Sequence, residues 1–574
     1  MDAHKALIKD IFNGSTYVEV PFFQRSYVWK EDLWERLLQD MEFVVKTRKP
    51  HFLGSIILKE GAKPDSSEKV SSILTVVDGQ QRLTTFLIFL KVLCLKMGQT
   101  ALFDFQFRIM GEGIALHHGK NDVDAFERVM SLDKPDMIDN PEPASRIIEA
   151  YNYFVNNINP SLLDIMTIET NTQFVRIDLN ADEDEQQIFD TINSLGVNLT
   201  TSELLKNYFF SRDTIQEYEE KWASVFEKDD EAKLYWDQEI EVGRSKRAMI
   251  DIFFDAYFQI FIQNKKYNIA VEDRLYYARI DNLAQSYQHF IKKYCGNDKN
   301  VILSQLKEYA LCFMRAFRPD ACESSLPAAY GMERINIVIF GLKTTTLIPY
   351  ILYLVKNVDN QAEFNKICEI LECFIMRRMV IHETTKNYNN FFTSLILNAT
   401  LTVDTLKDRI KNASESTTYI PDDAALLEGF NTSRLTNLQT KGILYMLESR
   451  IRPSNASTAL LGFNGYSLEH LMPKKWRNNW PACVSDDLAR NRDIKLLTLG
   501  NLAIITQSLN ASIRDADWDT KKKGKGDNKP GLEMCAGGLH TLYSVLDKEK
   551  WDEDEIITRA SWLYNQAKEV WKTI

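Results

Sequence analysis

The sequence predicts a mostly helical α+β protein in three parts, and three observations lead there. Near the N-terminus, two short β-branched runs, HFLGSIIL (51–58) and SILTVVD (72–78), flank a polar turn and precede an apolar segment too long for a strand. The middle of the chain holds long aromatic-rich stretches with helical periodicity, such as RAMIDIFFDAYFQIFIQ and TTLIPYILYLVKNV. Beyond them the chain returns to short apolar runs divided by loops. The parts are therefore placed at 1–215 (mixed α/β), 216–430 (all-helical) and 431–574 (a small α+β module), in keeping with about 100–200 residues per domain.

Within the first part, the two runs read as neighbouring strands joined through GAKPDSSEK, and QRLTTFLIFLKVLCLKM as a buried helix. A third strand, FVRIDL (174–179), leads through ADEDE into a helix over EQQIFDTINSL, then Gly196 and a second helix opening at Thr200, Thr201 or Ser202. The third part opens with the helix KGILYMLESRI and closes with an amphipathic one.

Composition narrows the function. The chain is 45% apolar and 26% charged with a net charge of −11, which excludes disordered and collagen-like classes. No uncharged apolar window reaches about 18 residues and no apolar leader opens the chain, so neither a membrane span nor a signal peptide is expected, and the expected location is the cytoplasm. The eight cysteines form no CxxC pair and read as reduced core residues. Positions 441–530 carry 15 Lys and Arg against 9 Asp and Glu, a local +6 on an acidic body, which suits DNA contact confined to one module. Lys521, Lys522, Lys523 and Lys525 form either a DNA-contacting or a merely solvated loop.

Four clusters could carry chemistry. VVDGQQRLTT sets Asp78, Gly79, Gln80, Gln81 and Arg82 where a strand ends and a helix begins, a cradle suited to phosphate. An ordinary Asp-Gly turn explains the same residues, and no GxxxxGK[ST] loop occurs. PFFQRSYVWKEDLWERLLQDM joins an extended segment to a helix with Trp34, Leu37, Leu38 and Met41 on a core face, and Arg25, set among aromatics, needs an anion or carboxylate. In TINSLGVNLTTSELLKNYFF, helix caps account for the glycine and threonines and leave Lys206 and Asn207 for a ligand. Finally, SLEHLMPKKW, LGNLAIIT and LNASIRDADW supply Glu469, His470, Pro473, Asn501 and Asn510. These suit metal-assisted phosphodiester hydrolysis: a neutral imidazole takes a proton from water while Glu469 and Asn510 hold Mg²⁺ against the phosphate. Lys474, Lys475 and Arg477 would meet the strand backbone, and a purely structural histidine is the competing account.

In this order the clusters resemble the GmrSD-like modification-dependent (type IV) restriction endonucleases. PFFQRSYVW, HFLGSIIL, VVDGQQRLTT and IFDTINSLGVNLTTSELLKN are similar to the GmrS-type domain, which implies a ParB/sulfiredoxin-like fold that binds and hydrolyses nucleoside triphosphates. SLEHLMPKKW and LGNLAIITQSLN are similar to the GmrD-type nuclease, an HNH or His-Me-finger variant (ββα-metal) with an H-x-x-P motif. RRMVIHETTKNYNNFF, with Arg377, Arg378, Thr385 and Asn387, is similar to a segment that often precedes it. The resemblance implies a nucleotide site at Asp78, Gly79, Gln80, Gln81 and Arg82 with Arg25 nearby. It makes His470 the general base, Glu469 and Asn510 ligands of Mg²⁺ or Mn²⁺, and Asn501 the residue that holds the loop. Relatives commonly read N-S-R-G where this chain has Leu195, which leaves the choice among GTP, CTP, UTP and ATP open.

The expected function is an NTP-regulated, metal-dependent endonuclease that cuts modified foreign DNA in antiphage defence, the mark being glucosylated hydroxymethylcytosine or backbone phosphorothioate. Two rivals stand beside it: a ParB-like nucleotide-dependent DNA-binding switch with a vestigial nuclease domain, and an ungated toxin-like nuclease. Homo-oligomerisation and companion defence proteins are left open by the sequence.

Overall fold

The computed structural model describes the chain except residues 1, 22, 23, 25, 62–71, 110–112, 120, 121, 141, 143, 180–199, 211–213, 244, 279, 414–417, 457, 527, 528 and 574. Arg25, most of the turn before SILTVVD and the helix expected over EQQIFDTINSL, with Leu195 and Gly196, lie outside the described residues. The chain divides into two compact units, Met1–Glu219 and Glu220–Ile574. The expected middle and C-terminal parts both fall in the second.

The first unit is built on a mixed six-stranded sheet. Its strands are β1 (Asp2–Leu7), β2 (Thr16–Glu19), β3 (His51–Gly61), β4 (Ser72–Asp78), β5 (Leu116–His117) and β6 (Thr172–Leu179), in the order β1-β6-β3-β4-β2-β5. The two β-branched runs are neighbouring strands as expected, paired antiparallel, and β6 lies parallel to β3. β1 was not legible in DAHKAL because it is an edge strand whose first four residues are exposed, so no alternation marks it. Helix α1 (Glu31–Thr47) buries Trp34, Leu37, Leu38, Met41 and Val44, the face its spacing predicts. Helix α2 (Gln80–Lys96) is buried at every position from Leu83 to Leu95, which is why its pattern shows no polar face. Its Lys91 ammonium lies 5.1 Å from the Phe103 ring centre, and burial lowers its pKa. Helix α3 (Arg146–Asn157) packs on α2 through an edge-on Phe89–Phe154 pair at 5.6 Å. Helix α4 (Thr201–Phe209) opens at one of the expected residues, with Thr200 and Glu203 closing a capping box.

The second unit is helical with small β elements. Helices α5 (Met249–Ile262), α6 (Asn300–Ala316) and α7 (Ile348–Asn357) surround an aromatic core in which Phe253 and Trp236 both meet Phe313, at 5.4 and 5.7 Å. The all-helical expectation for 216–430 needs correction: Glu239–Val242 and Ser245–Ala248 pair as an antiparallel ribbon. Their largely exposed EIEV and SKRA bury no apolar face, so no hydrophobic alternation announced them.

Helices α8 (Gln361–Val380), α9 (Asp423–Thr432) and α10 (Asn437–Ile451) pack with the later chain around buried charge. Arg334 makes two 2.7 Å bonds to the Glu372 carboxylate, donates to Ser449 Oγ at 2.7 Å, and is fully buried like its partner. Trp571 Nε1 donates to the same carboxylate at 3.1 Å, and Arg377 donates to the Trp571 carbonyl at 2.6 Å and to Asp423 at 2.6 Å. Arg378 donates to the carbonyls of Tyr419 and Thr384. The RRMV segment is thus an internal brace. Among the described residues no helix is long and apolar enough to cross a membrane.

Breaking one side of a buried pair strands the other charge at a cost of about 3–5 kcal/mol. Arg334→Met should lower the unfolding free energy of the second unit by that amount in urea titrations, and adding Glu372→Leu should recover part of the loss. A single variant as stable as the parent would refute the bracing role.

Candidate functional sites

In the first unit, β4 ends at Asp78, Gly79 turns the chain, and α2 begins at Gln80. Gly79 has φ +100°, and a Cβ there would lie 2.3 Å from Ile56 Cγ2, so glycine is required twice over. Gln81 does not point outward. Its Oε1 accepts from Val28 N at 2.9 Å and Trp29 N at 3.3 Å, and its Nε2 donates to Ser26 O at 3.2 Å. The structure therefore brings together two segments that the sequence offered as separate clusters. Tyr27 completes the joint: its hydroxyl bonds Thr85 Oγ1 at 2.6 Å and accepts from Trp34 Nε1 at 2.8 Å, and its N–H donates to Asp122 at 2.7 Å. Burial pushes the Asp122 carboxyl up to about 6 and the His118 imidazole, which meets Thr84 Oγ1 at 3.0 Å, down to about 3.

Arg82 donates to the Ser55 carbonyl and lies 3.7 Å from Asp78, while Gln80 is buried. Lys206 is buried on α4, and the Asn207 Oδ1 is buried without a hydrogen-bond partner among the described residues. Beside Arg82 opens a cavity of about 290 Å³, walled by Trp29 and Phe52 and edged by Arg36, Asp40 and His51. Phe52 and Arg36 are exposed, and the Arg36 guanidinium has no ion-pair partner among the described residues. This cavity was not legible in the sequence, because Trp29, Arg36 and Phe52 come from an irregular segment, a helix and a strand.

In the second unit, β7 (Tyr466–His470) pairs antiparallel with β8 (Leu502–Thr506), and α11 (Gln507–Ile513) packs back on both strands. The four predicted residues gather along β7. Asn501 uses its whole amide: Oδ1 accepts from Met472 N at 2.8 Å and Trp551 Nε1 at 3.0 Å, and Nδ2 donates to Met472 O at 2.8 Å and Leu496 O at 3.0 Å. It thereby fixes the bend that ends the strand after His470. Asn510 Nδ2 donates to Ser467 Oγ at 3.1 Å and Leu468 O at 3.0 Å, which turns Oδ1 away from the strand. His470 is half-buried, and burial, then Lys474 and Lys521, lower its pKa to about 4, so the imidazole is neutral at physiological pH.

Lys521 corrects an expectation. It is fully buried, not part of a solvated or DNA-contacting loop, and its ammonium forms an ion pair with Glu469 Oε1 and donates to the His470 carbonyl at 2.7 Å. Burial pushes Glu469 up and Lys521 down, and each charge draws the other back. Residues 518–523 are helix α12 (Trp518–Lys523), and the buried Trp518 three positions earlier marks the face that turns Lys521 inward. The other expected DNA contacts are mostly engaged. Arg477 forks onto Asp493 at 3.0 and 2.8 Å, Lys522 donates to the Lys548 carbonyl at 3.1 Å, and Lys523 pairs with Asp519 at 2.7 Å. Lys474 and Lys475 are exposed and have no ion-pair partner among the described residues. Sequence reasoning missed Arg559, a buried residue that donates to the carbonyls of Gly500 at 2.7 Å and Leu502 at 2.8 Å and so grips the turn carrying Asn501.

A carboxylate such as Glu469 and an amide oxygen such as that of Asn510 are the donor types that suit a hard cation such as Mg²⁺ or Mn²⁺. Among the described residues no three His, Cys, Asp or Glu side chains form a preformed cage.

The GmrSD restriction endonuclease N-terminal domain model matches residues 8–210, and the GmrSD restriction endonuclease C-terminal domain model matches residues 420–566. The chain belongs to the GmrSD restriction endonuclease family, a family of DNA endonucleases of restriction-type defence. No match is found among curated proteins.

The depressed imidazole gives a pH test. Unfolded histidine takes its proton near pH 6.5, and folded His470 only near 4, so its contribution to stability is full above pH 6.5 and is lost as pH falls toward 4. NMR titration of the His470 ring should show a midpoint near 4, and an ordinary midpoint would mean the ring is solvated.

Proposed function

We propose that the protein is an NTP-regulated, metal-dependent endonuclease of the cytoplasm that cuts modified foreign DNA. The observation that carries the reading is the neutral, half-buried His470 at the end of β7, beside a strand that Asn501 and Asn510 pin from either end. In this reading the second unit ends in a His-Me finger. His470 takes the proton of the water that attacks the scissile phosphorus, and the rigid bend at Met472 keeps the ring aimed as the proton transfers. Glu469 and Asn510 hold Mg²⁺ or Mn²⁺, which supplies positive charge to the phosphate and the leaving oxygen. Lys474 and Lys475 meet the strand backbone, while paired Arg477, Lys522 and Lys523 contribute less.

The first unit, in this reading a ParB/sulfiredoxin-like domain, holds the nucleoside triphosphate. Backbone N–H groups at the start of α2 and the guanidiniums of Arg82 and Arg36 take phosphates, and Trp29 and Phe52 offer faces for the base. Asp78 and Gln81 act indirectly: the carboxylate steadies Arg82, and the amide ties down residues 26–29. Gly79 permits close approach, Gln80, Lys206 and Asn207 are further ligands of the nucleotide in this reading, and nucleotide state gates cutting.

Matched unmodified, glucosylated and phosphorothioated duplexes, with Mg²⁺ or Mn²⁺ and each NTP, test the reading. Cutting of one modified duplex only, lost in His470→Ala while binding persists, is expected, whereas wild-type cutting by that variant would place the base elsewhere. Arg36→Met should weaken nucleotide binding by about 1.5–3 kcal/mol, the worth of a hydrogen bond to a charged group. Calorimetry showing unchanged affinity would remove the cavity from the nucleotide site.

A further inference from the structure

The proposed function leaves Lys521 without a task, and it is the most deeply placed lysine of the run 521–525. Its ammonium spans Glu469 Oε1 and the His470 carbonyl, the latter at 2.7 Å, so it touches both members of the proposed catalytic pair. It cannot easily swing away. Helix α12 is capped by Asp517, which accepts from Thr520 N at 2.9 Å, and Trp518 stacks on Trp551 at 5.4 Å, the ring whose Nε1 is bonded to Asn501. The centre offers a dication one carboxylate and one neutral amide, and the lysine cancels that single negative charge. A cation drawn to Glu469 therefore meets an ammonium on the same carboxylate, and needs a further anion before binding becomes favourable. A DNA phosphate is the anion that such a site receives from its substrate.

Resting on the nuclease reading above, we propose that Lys521 is a positioning residue that keeps the bare centre from loading its metal. Its ammonium neutralises Glu469 in the DNA-free protein, and the dication enters together with the scissile strand. The arrangement makes the centre inert toward free cation and ties its assembly to substrate.

Mn²⁺ binding to the full chain, read from the electron paramagnetic resonance of the free aqua ion, tests this with and without a duplex oligonucleotide in the His470→Ala background, where the strand stays intact. DNA should tighten Mn²⁺ binding at least about tenfold. Lys521→Met should tighten DNA-free binding by a similar factor and nearly abolish the dependence on DNA, as expected for removing a like charge one hydrogen bond from the ligand. Lys521→Arg should keep the parent's behaviour, and Lys521→Met with Glu469→Gln, a pair of neutral replacements, should fold but lose the site. Affinity that DNA leaves unchanged in the parent overturns the proposal without recourse to any Lys521 variant, which matters if Lys521→Met does not fold. A site that needs Glu469 but is indifferent to Lys521→Met overturns the role of Lys521 alone. Mn²⁺ binding in the presence of DNA that Glu469→Gln leaves intact removes the nuclease centre itself, and the proposal with it.

Discussion

The second unit depends on a four-residue turn, Leu499 to Leu502, that is held from both sides. Asn501 uses its entire amide on the bend after β7, on Leu496 and on Trp551, and Arg559 reaches in from α13 (Glu553–Val570) to the buried carbonyls of the turn. Gly500 permits the approach, since a Cβ there would lie 2.2 Å from the Ile556 carbonyl. A buried guanidinium surrounded by carbonyls is an unusual choice, and burial lowers its pKa to about 9. The compensation is that five donors in a fixed fork can satisfy several backbone acceptors that no solvent reaches. Strand β8 follows at once, so the pairing that presents His470 inherits its register from this turn.

The same logic recurs in both units: a polar side chain is buried in order to join backbone segments that hydrophobic contact alone would leave free to slide. Gln81 does it for residues 26–29, Arg377 for Pro421 and Trp571, and Glu448 for the N–H groups of His540 and Thr541 at 2.8 and 2.7 Å. Each tie is directional, and the cost of leaving its groups unpaired specifies one arrangement of loops. The Glu469–Lys521 pair differs because its members have chemistry beyond holding the chain.

Much of this was legible in the sequence where periodicity and motif coincide. The paired strands at 51–61 and 72–78, the buried α2, the Thr200 cap and the gathering of Glu469, His470, Asn501 and Asn510 follow from β-branched runs, apolar length, a capping box and motif spacing. What was not legible depends on the direction a side chain takes. Gln81 in DGQQR reads as part of a phosphate cradle, yet its amide serves the neighbouring loop. Three consecutive lysines read as one cationic surface, yet a helix turns each through about 100°, so one is buried while its neighbour at 523 stands in solvent. Edge strand β1 escaped because its first four positions are exposed, and the ribbon at 239–248 because its strands bury no residue.

The dependence of the Asn501 turn on Arg559 has a consequence for biosynthesis. All four residues grouped along β7 are synthesised by position 510, yet the brace on their turn arrives 49 residues later and the Trp571 contact to Glu372 spans 199 residues. A translation product that stops between them carries the motif without its scaffold. For a cell that makes a DNA-cutting enzyme, interrupted synthesis and proteolytic clipping of α13 then yield fragments with an unsupported centre.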